Sequence, residues 1–270
     1  MLKQFNTCIL LICCSIFNTY AQSKLTDEQI LARINNCRPL LGAPIDRNIK
    51  NRLGATHVDG KYYLSKEPFL VEGASKLNDL GFGVLKVWFR KNGEGYTYHS
   101  NWNLAPNIQL AELAQHPYWK TTFTYPFSTF VLSLDGAGIT TTDSSAKAEE
   151  EEIFRLVTYL LTTYKNRKLT FILQNWEGDW ILRGGNGDSA NWSRTPGIRI
   201  PSAEGNMYSV AVPKDSLARI NALTKWFSAR QRGVERARKA VPHSRTTVYH
   251  AIEANRVIDC MNGLPGIANQ

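Results

Sequence analysis

Two glutamates stand just past strand-like runs. Glu177 lies in Asn175-Trp176-Glu177-Gly178-Asp179-Trp180, after the β-rich run Leu169 to Asn175, and Glu253 opens Glu253-Ala254-Asn255-Arg256, after Thr246 to Ile252. Alternation along an extended strand puts Leu173, Asn175 and Glu177 on one face, and does the same for Tyr249, Ala251, Glu253 and Asn255. If the two strands are neighbours, about 4.8 Å apart, matched glutamates come to about 5 Å, the spacing of a retaining glycosidic pair. In that chemistry one carboxyl protonates the leaving oxygen while the other attacks the anomeric carbon. Two carboxyls so close push one pKa upward and keep that acid protonated. The competing reading makes each glutamate a salt bridge to Arg or Lys at the end of the sheet.

The neighbouring residues extend the candidate site. Trp176 and Trp180 flank Glu177, and Trp192 follows in the same loop; flat rings of this kind stack on sugars. Asn175, Asn255, Asp179 and Arg90 can bind hydroxyls. Asp135 ends the run Phe130 to Asp135, where it can equally cap the next turn. Trp88 ends the run Gly83 to Phe89 and joins the substrate-binding set, although a tryptophan inside a strand also reads as core. The chemistry needs no cofactor. His250 and Glu253 sit three apart and fall on opposite faces of a strand, and neither a CxxC pair nor an HExxH is present. Without a GxSxG, a serine hydrolase has little support.

The elements that must position these residues follow from periodicity. A helix opens at Pro68 with Leu70, Ala74 and Leu77 on one face, and Gly81 stops it. A short helix fits Asn107 to Gln115. Asp143, Ser144 or Ser145 caps a long helix with the stripe Ile153, Val157, Leu160 and Tyr164. Its Glu149 to Glu152 sit in early turns, where the helix dipole favours anions. A loop from Gly178 to Pro213 is long enough to imply a functional role over the strand ends. The last helix runs from Asp215 or Ser216 to Pro242, with Gly233 interrupting it. Gly54 to Tyr63 reads as a turn or hairpin. Strands alternating with helices imply an α/β fold with a parallel sheet.

With these residues in view, the chain resembles the TIM-barrel glycoside hydrolase superfamily. Three stretches carry the likeness: Leu77 to Trp88, Phe171 to Trp180, and Val248 to Asn255, within residues 66–258. The resemblance implies a (β/α)-barrel, a site at the C-terminal ends of the strands, Glu177 as acid/base and Glu253 as nucleophile or stabiliser. The commonest members carry these glutamates on strands four and seven, whereas here they fall on strands three and four. About four βα units are legible, so a partial barrel is expected.

Lys3, the apolar run Cys8 to Phe17 and Thr19-Tyr20-Ala21 read as a signal peptide cleaved near Ala21. The expected division is 1–21 signal peptide, 22–65 irregular segment, and 66–270 barrel domain. A secreted or periplasmic location follows, with no membrane span. Of the five cysteines, Cys37 and Cys260 survive cleavage and are expected to pair as a disulfide. Loss of Lys3 leaves 31 basic and 23 acidic side chains, a net +8. That charge favours anionic partners or simple solubility. The basic residues are not interleaved with aromatics as in single-strand nucleic-acid binders, so no nucleic acid is expected. The leading expectation is a secreted glycoside hydrolase with a carbohydrate substrate. The alternatives are a non-catalytic carbohydrate-binding protein or inactive truncated remnant of such a barrel, and a basic binder of anionic polymers.

Overall fold

The computed structural model describes residues 52–60, 63–134, 142–175, 178–182, 198–201, 207–210, 216–255, 257–261 and 266–269. The chain divides into two units, Met1–Arg47 and Asn48–Gln270, and every described residue belongs to the second. Its elements in order are β1 (Gly54–His57), α1 (Phe69–Asp79), β2 (Val84–Phe89), α2 (Leu110–Leu113), α3 (Pro117–Thr124), β3 (Thr129–Leu134) and α4 (Asp143–Thr163). They continue with β4 (Thr170–Gln174), α5 (Gly178–Leu182), β5 (Ile198–Pro201), β6 (Met207–Val210), α6 (Ser216–Ala240), β7 (Thr247–Ala251) and α7 (Val257–Met261), then a 3-10 turn, Ile267–Asn269. This is a mixed α/β fold built on a five-stranded parallel sheet, in the order β1-β2-β3-β4-β7.

The strands lie side by side in chain order, so each crossover steps the same way. Right-handed crossovers that all step one way put every connecting helix on one face. The burial pattern agrees. Leu85, Val87 and Phe89 of β2, Phe130 and Leu132 of β3, Phe171 and Leu173 of β4, and Val248 of β7 are all buried. They share one core with Leu70 of α1, Phe123 of α3, Leu156 and Leu160 of α4, and Val234 of α6. Phe130 stacks on Phe171 at 5.7 Å, and Phe123 meets both edge-on at 5.2 Å. The other face carries Lys86, Trp88, Val131, Ile172 and Gln174, all partly exposed, together with Tyr249 at 47%. Ser133 on that face is fully buried. Strands of a sheet covered on both faces read as continuous apolar runs; the alternation here marks one packed and one open face.

Local signals explain most boundaries. Gly81 takes φ +86° just after α1, a conformation that favours glycine. The cap of α4 is Thr142 rather than Asp143, Ser144 or Ser145: its hydroxyl accepts from the Ser145 amide at 3.1 Å, and the Ser145 side chain returns to the Thr142 amide. Three expectations change. Gly54 to His57 is not a hairpin arm but an edge strand paired in parallel with Val84 to Val87. The stretch from Gly178 to Pro213 holds α5 and the antiparallel pair β5–β6 rather than structureless chain. The helix at 107–115 shortens to Leu110–Leu113, and a second helix starts at Pro117.

Glu149 to Glu152 face partners rather than the helix dipole. Glu149 pairs with Arg230 at 2.6 Å, Glu150 with Arg232 and Arg236 at 2.7 and 2.9 Å, and Glu151 with Arg236 at 3.2 Å. Glu152 meets Lys91 at 2.5 Å and accepts from the Leu110 amide. A large part of the basic face of α6 is therefore neutralised by α4. Gly233 is the crossing point of the two helices: a Cβ there would stand 2.6 Å from the Glu150 carbonyl oxygen and 2.9 Å from Ile153. Among the described residues, no helix is long and apolar enough to cross a membrane.

Candidate functional site at the strand ends

The C-terminal end of the sheet is opened by a tyrosine. β1 and β2 pair up to His57 and Val87. One step further the Tyr96 hydroxyl stands between them, donating to the His57 carbonyl at 2.7 Å and accepting from the Trp88 amide at 2.8 Å. The phenol is almost fully enclosed, and burial pushes its pKa far above the ordinary tyrosine value. It therefore stays a hydroxyl, able to make both bonds. The Arg90 guanidinium lies 5.1 Å over the Trp88 ring on the same strand end.

At the other edge, side chains extend the pairing of β4 with β7. Asn175 is fully buried. Its Oδ1 accepts from the Glu253 amide at 2.9 Å, and its Nδ2 donates to the Glu253 carbonyl at 3.4 Å. Asp179, also fully buried, accepts from the amides of Asn255 at 2.7 Å and Ile267 at 2.9 Å. The Asn255 side chain accepts from the Asp179 amide at 3.2 Å. Only glycine fits at 178, because a Cβ would lie 2.6 Å from the Glu253 carbonyl oxygen. These bonds lock the segment that carries Glu253, since each buried polar group left without its partner costs about 1–3 kcal/mol.

The Glu253 carboxylate turns to the open face. It accepts from Gln174 Nε2 at 2.6 Å and meets Lys86 Nζ at 3.4 Å. Glu253 and Lys86 side chains are 22% and 23% exposed. Two strands lie between β2 and β7, about 14 Å on a flat sheet, so both side chains lean inward across the face. The result is one carboxylate between an ammonium and an amide donor at the ends of parallel strands, with Trp88 on the same face.

The sequence-derived set is thus only partly assembled. Glu253 and Trp88 share the open face. Asn175, Asp179 and Asn255 each bond backbone groups of the facing segment. The assumed face is corrected. β4 and β7 pair Ile172 with Tyr249 and Gln174 with Ala251, so Gln174, not Asn175, is the β4 residue beside Glu253. Alternation groups residues within one strand but leaves open which groups of two strands coincide. Glu177, Trp176, Asp135, Trp192, Cys37 and the Trp180 side chain lie outside the described residues. Cys260 is buried in α7, and its pairing with Cys37 lies outside them as well. Lys86 and Gln174 were missed. Their signal was present: each is a polar residue in an otherwise apolar strand, VLKVWF and TFILQ. Among the described residues no cluster of His, Cys, Asp and Glu could hold a metal ion.

No protein-family model matches the chain, and neither a characterised protein nor a solved structure matches it.

Proposed function

We propose that the chain is a secreted carbohydrate-active protein, built on a partial (β/α)-barrel, that hydrolyses a glycan at the C-terminal ends of its parallel strands. One observation carries this reading. The Glu253 carboxylate is held by Lys86 and Gln174 on the face opposite the described helices that pack on the sheet, at the strand end where such folds place their chemistry. A carboxylate that accepts from two fixed donors suits a nucleophile or a stabiliser of developing positive charge. Glu177 supplies the general acid. Strands laid in chain order, with helices on one face, support the partial barrel. Export and a Cys37–Cys260 disulfide belong to the same reading.

A second reading is favoured by a specific observation: Asn175, Asp179 and Asn255 already serve the backbone, and Glu253 already has two partners. A non-catalytic carbohydrate-binding protein needs no second free carboxyl. A panel of polysaccharides, scored for reducing-end release and for binding, separates the two. For the hydrolase, Glu253→Gln and Glu177→Gln each lower turnover by roughly 10²–10⁴-fold, with binding retained. Turnover unchanged in Glu253→Gln overturns the assignment of that residue. Binding without turnover in the wild type establishes the second reading, and neither binding nor turnover ends the carbohydrate proposal.

A further inference from the structure

α4 and α6 both end near the N-terminal ends of β4 and β7, at the other end of the sheet from Glu253. A cavity of about 540 Å³ lies between the two helix ends, within the range of ligand sites, about 300–1,000 Å³. Leu161 and Pro242 give it an apolar lining, and Arg238, Lys239, Ser244 and Thr247 a polar one. Arg238, Lys239 and Thr247 are exposed, so water reaches these groups. The turn after α4 joins the same surface. The Lys165 carbonyl accepts from the Arg245 amide at 2.7 Å, and the Leu169 carbonyl from the Thr247 amide at 2.8 Å. Lys165, Lys168 and Arg245 are exposed as well.

These cations differ from the others of α6. Arg230, Arg232 and Arg236 are bonded to glutamates of α4. Arg238 and Lys239, in the last turn, have no carboxylate partner among the described residues, and neither do Lys165, Lys168 and Arg245. The Arg238 guanidinium instead lies 5.5 Å over the Tyr249 ring, and Arg245 Nη1 donates to the Asn166 carbonyl at 3.4 Å. The helix dipole explains part of this placement, because each helix C-terminus carries about half a negative charge. Two such ends, together with Glu235 in the cavity lining, offset about two of the five cations and leave about three positive charges. Lys165 and Lys168 lie just past the end of α4 and Arg238 and Lys239 at the end of α6, and packed helices stand about 8–10 Å apart. Charge spread over that distance exceeds what one anionic group covers and suits a polymer with repeated anions.

We propose that this end of the sheet binds an acidic polysaccharide, separately from the site at Glu253. Its carboxylate or sulfate groups meet Arg238, Lys239 and Arg245, and a sugar unit enters the cavity beside Ser244 and Thr247. The positive surface stands by itself; the choice of a sugar polymer over other polyanions rests on the carbohydrate reading. Single-stranded nucleic acid fits less well, because its bases stack on free rings, and the exposed ring beside these cations, Tyr249, already has the Arg238 guanidinium over it.

The test follows the fluorescence anisotropy of labelled probes of similar length: oligogalacturonate, sulfated dextran, a neutral maltodextrin and single-stranded DNA. Binding of oligogalacturonate points to a carboxylated polymer, and binding of sulfated dextran to a sulfated one; either supports the proposal. The double variant Arg238→Gln/Lys239→Gln should weaken that binding about tenfold, the worth of two exposed charge contacts. Lys66→Gln/Lys76→Gln removes the same charge near α1 and should change affinity by less than about twofold, which separates a local site from net charge. A thermal melt checks that each variant folds. Turnover of short neutral oligosaccharides, which reports on Glu253, is measured separately, so each reading can fail alone. The proposal is overturned if neither acidic glycan binds below about 1 mM, or if the neutral probe or DNA binds as tightly as both of them. It is overturned equally if the two double variants lose affinity alike.

Discussion

Removing Glu149 should destabilise the protein far more than removing its neighbour Glu151, although both are glutamates of one helix paired with arginines. The Glu149–Arg230 pair has a 2.6 Å contact with both side chains 1% exposed, and the Arg230 guanidinium lies 4.1 Å over the Trp226 ring. Glu149→Ala leaves a buried guanidinium that cannot shed its proton. Breaking a buried pair from one side costs about 3–5 kcal/mol, a large part of the roughly 5–15 kcal/mol that holds a domain folded. Glu151 and its partner Arg155 are 41% and 61% exposed. Water and salt screen that pair, so Glu151→Ala costs less than about 1 kcal/mol. The double variant Glu149→Leu/Arg230→Met removes both charges and keeps apolar volume, and it recovers most or all of the loss. Urea unfolding followed by circular dichroism measures all three. With a slope of about 1–3 kcal/mol per molar urea, Glu149→Ala should lower the midpoint by about 1 M or more. The reasoning fails if Glu149→Ala costs no more than Glu151→Ala. It also fails if the double variant is as unstable as Glu149→Ala, since the penalty would then not come from the charge of Arg230.

Asp179→Ala strips acceptors from the amides of Asn255 and Ile267, with an expected loss of about 2–4 kcal/mol in chemical denaturation; a loss below half of that would mean water replaces the carboxylate. Thr142→Ala removes the cap of α4 and costs about 1 kcal/mol by the same assay, and Thr142→Ser should restore most of it. His250 makes stability depend on pH. Its pKa is near 4 in the folded chain against 6.5 for the unperturbed group, so the unfolded chain takes up its proton first as pH falls. Above pH 6.5 the ring is neutral in both states and adds no pH dependence, and up to about 3 kcal/mol is lost as pH falls toward 4. The cationic neighbours Arg230 and Arg232 stay charged throughout that window. His250→Phe should flatten this limb relative to wild type in melts at pH 7 and pH 4.5, and parallel pH profiles for the two proteins would refute the assignment.

Much of the architecture was legible in single segments. The runs that became β2, β3, β4 and β7 were bounded to within a residue or so, because β-rich stretches between turn and helix signals need no distant information. The long helices α4 and α6 were visible for the same reason, as was the place of Glu253 just past a strand. What lay beyond reach concerned pairs of segments. β1 is four residues long, and only its pairing with β2 distinguishes it from a turn. The four glutamates of α4 looked like a dipole-favoured run, but arginines about 80 positions later close on three of them and Lys91 meets Glu152. Gly233 and Gly178 looked like an interruption and the start of a loop, yet each marks a place where another part of the chain passes too close for a side chain. The candidate site divides along the same line. Alternation states which residues of one strand share a face, and so it grouped Asn175 with Leu173 correctly. It carries no information on how two strands align, because register is set by burial summed over the whole sheet. That register brought Gln174 and Lys86, not Asn175, to the carboxylate of Glu253.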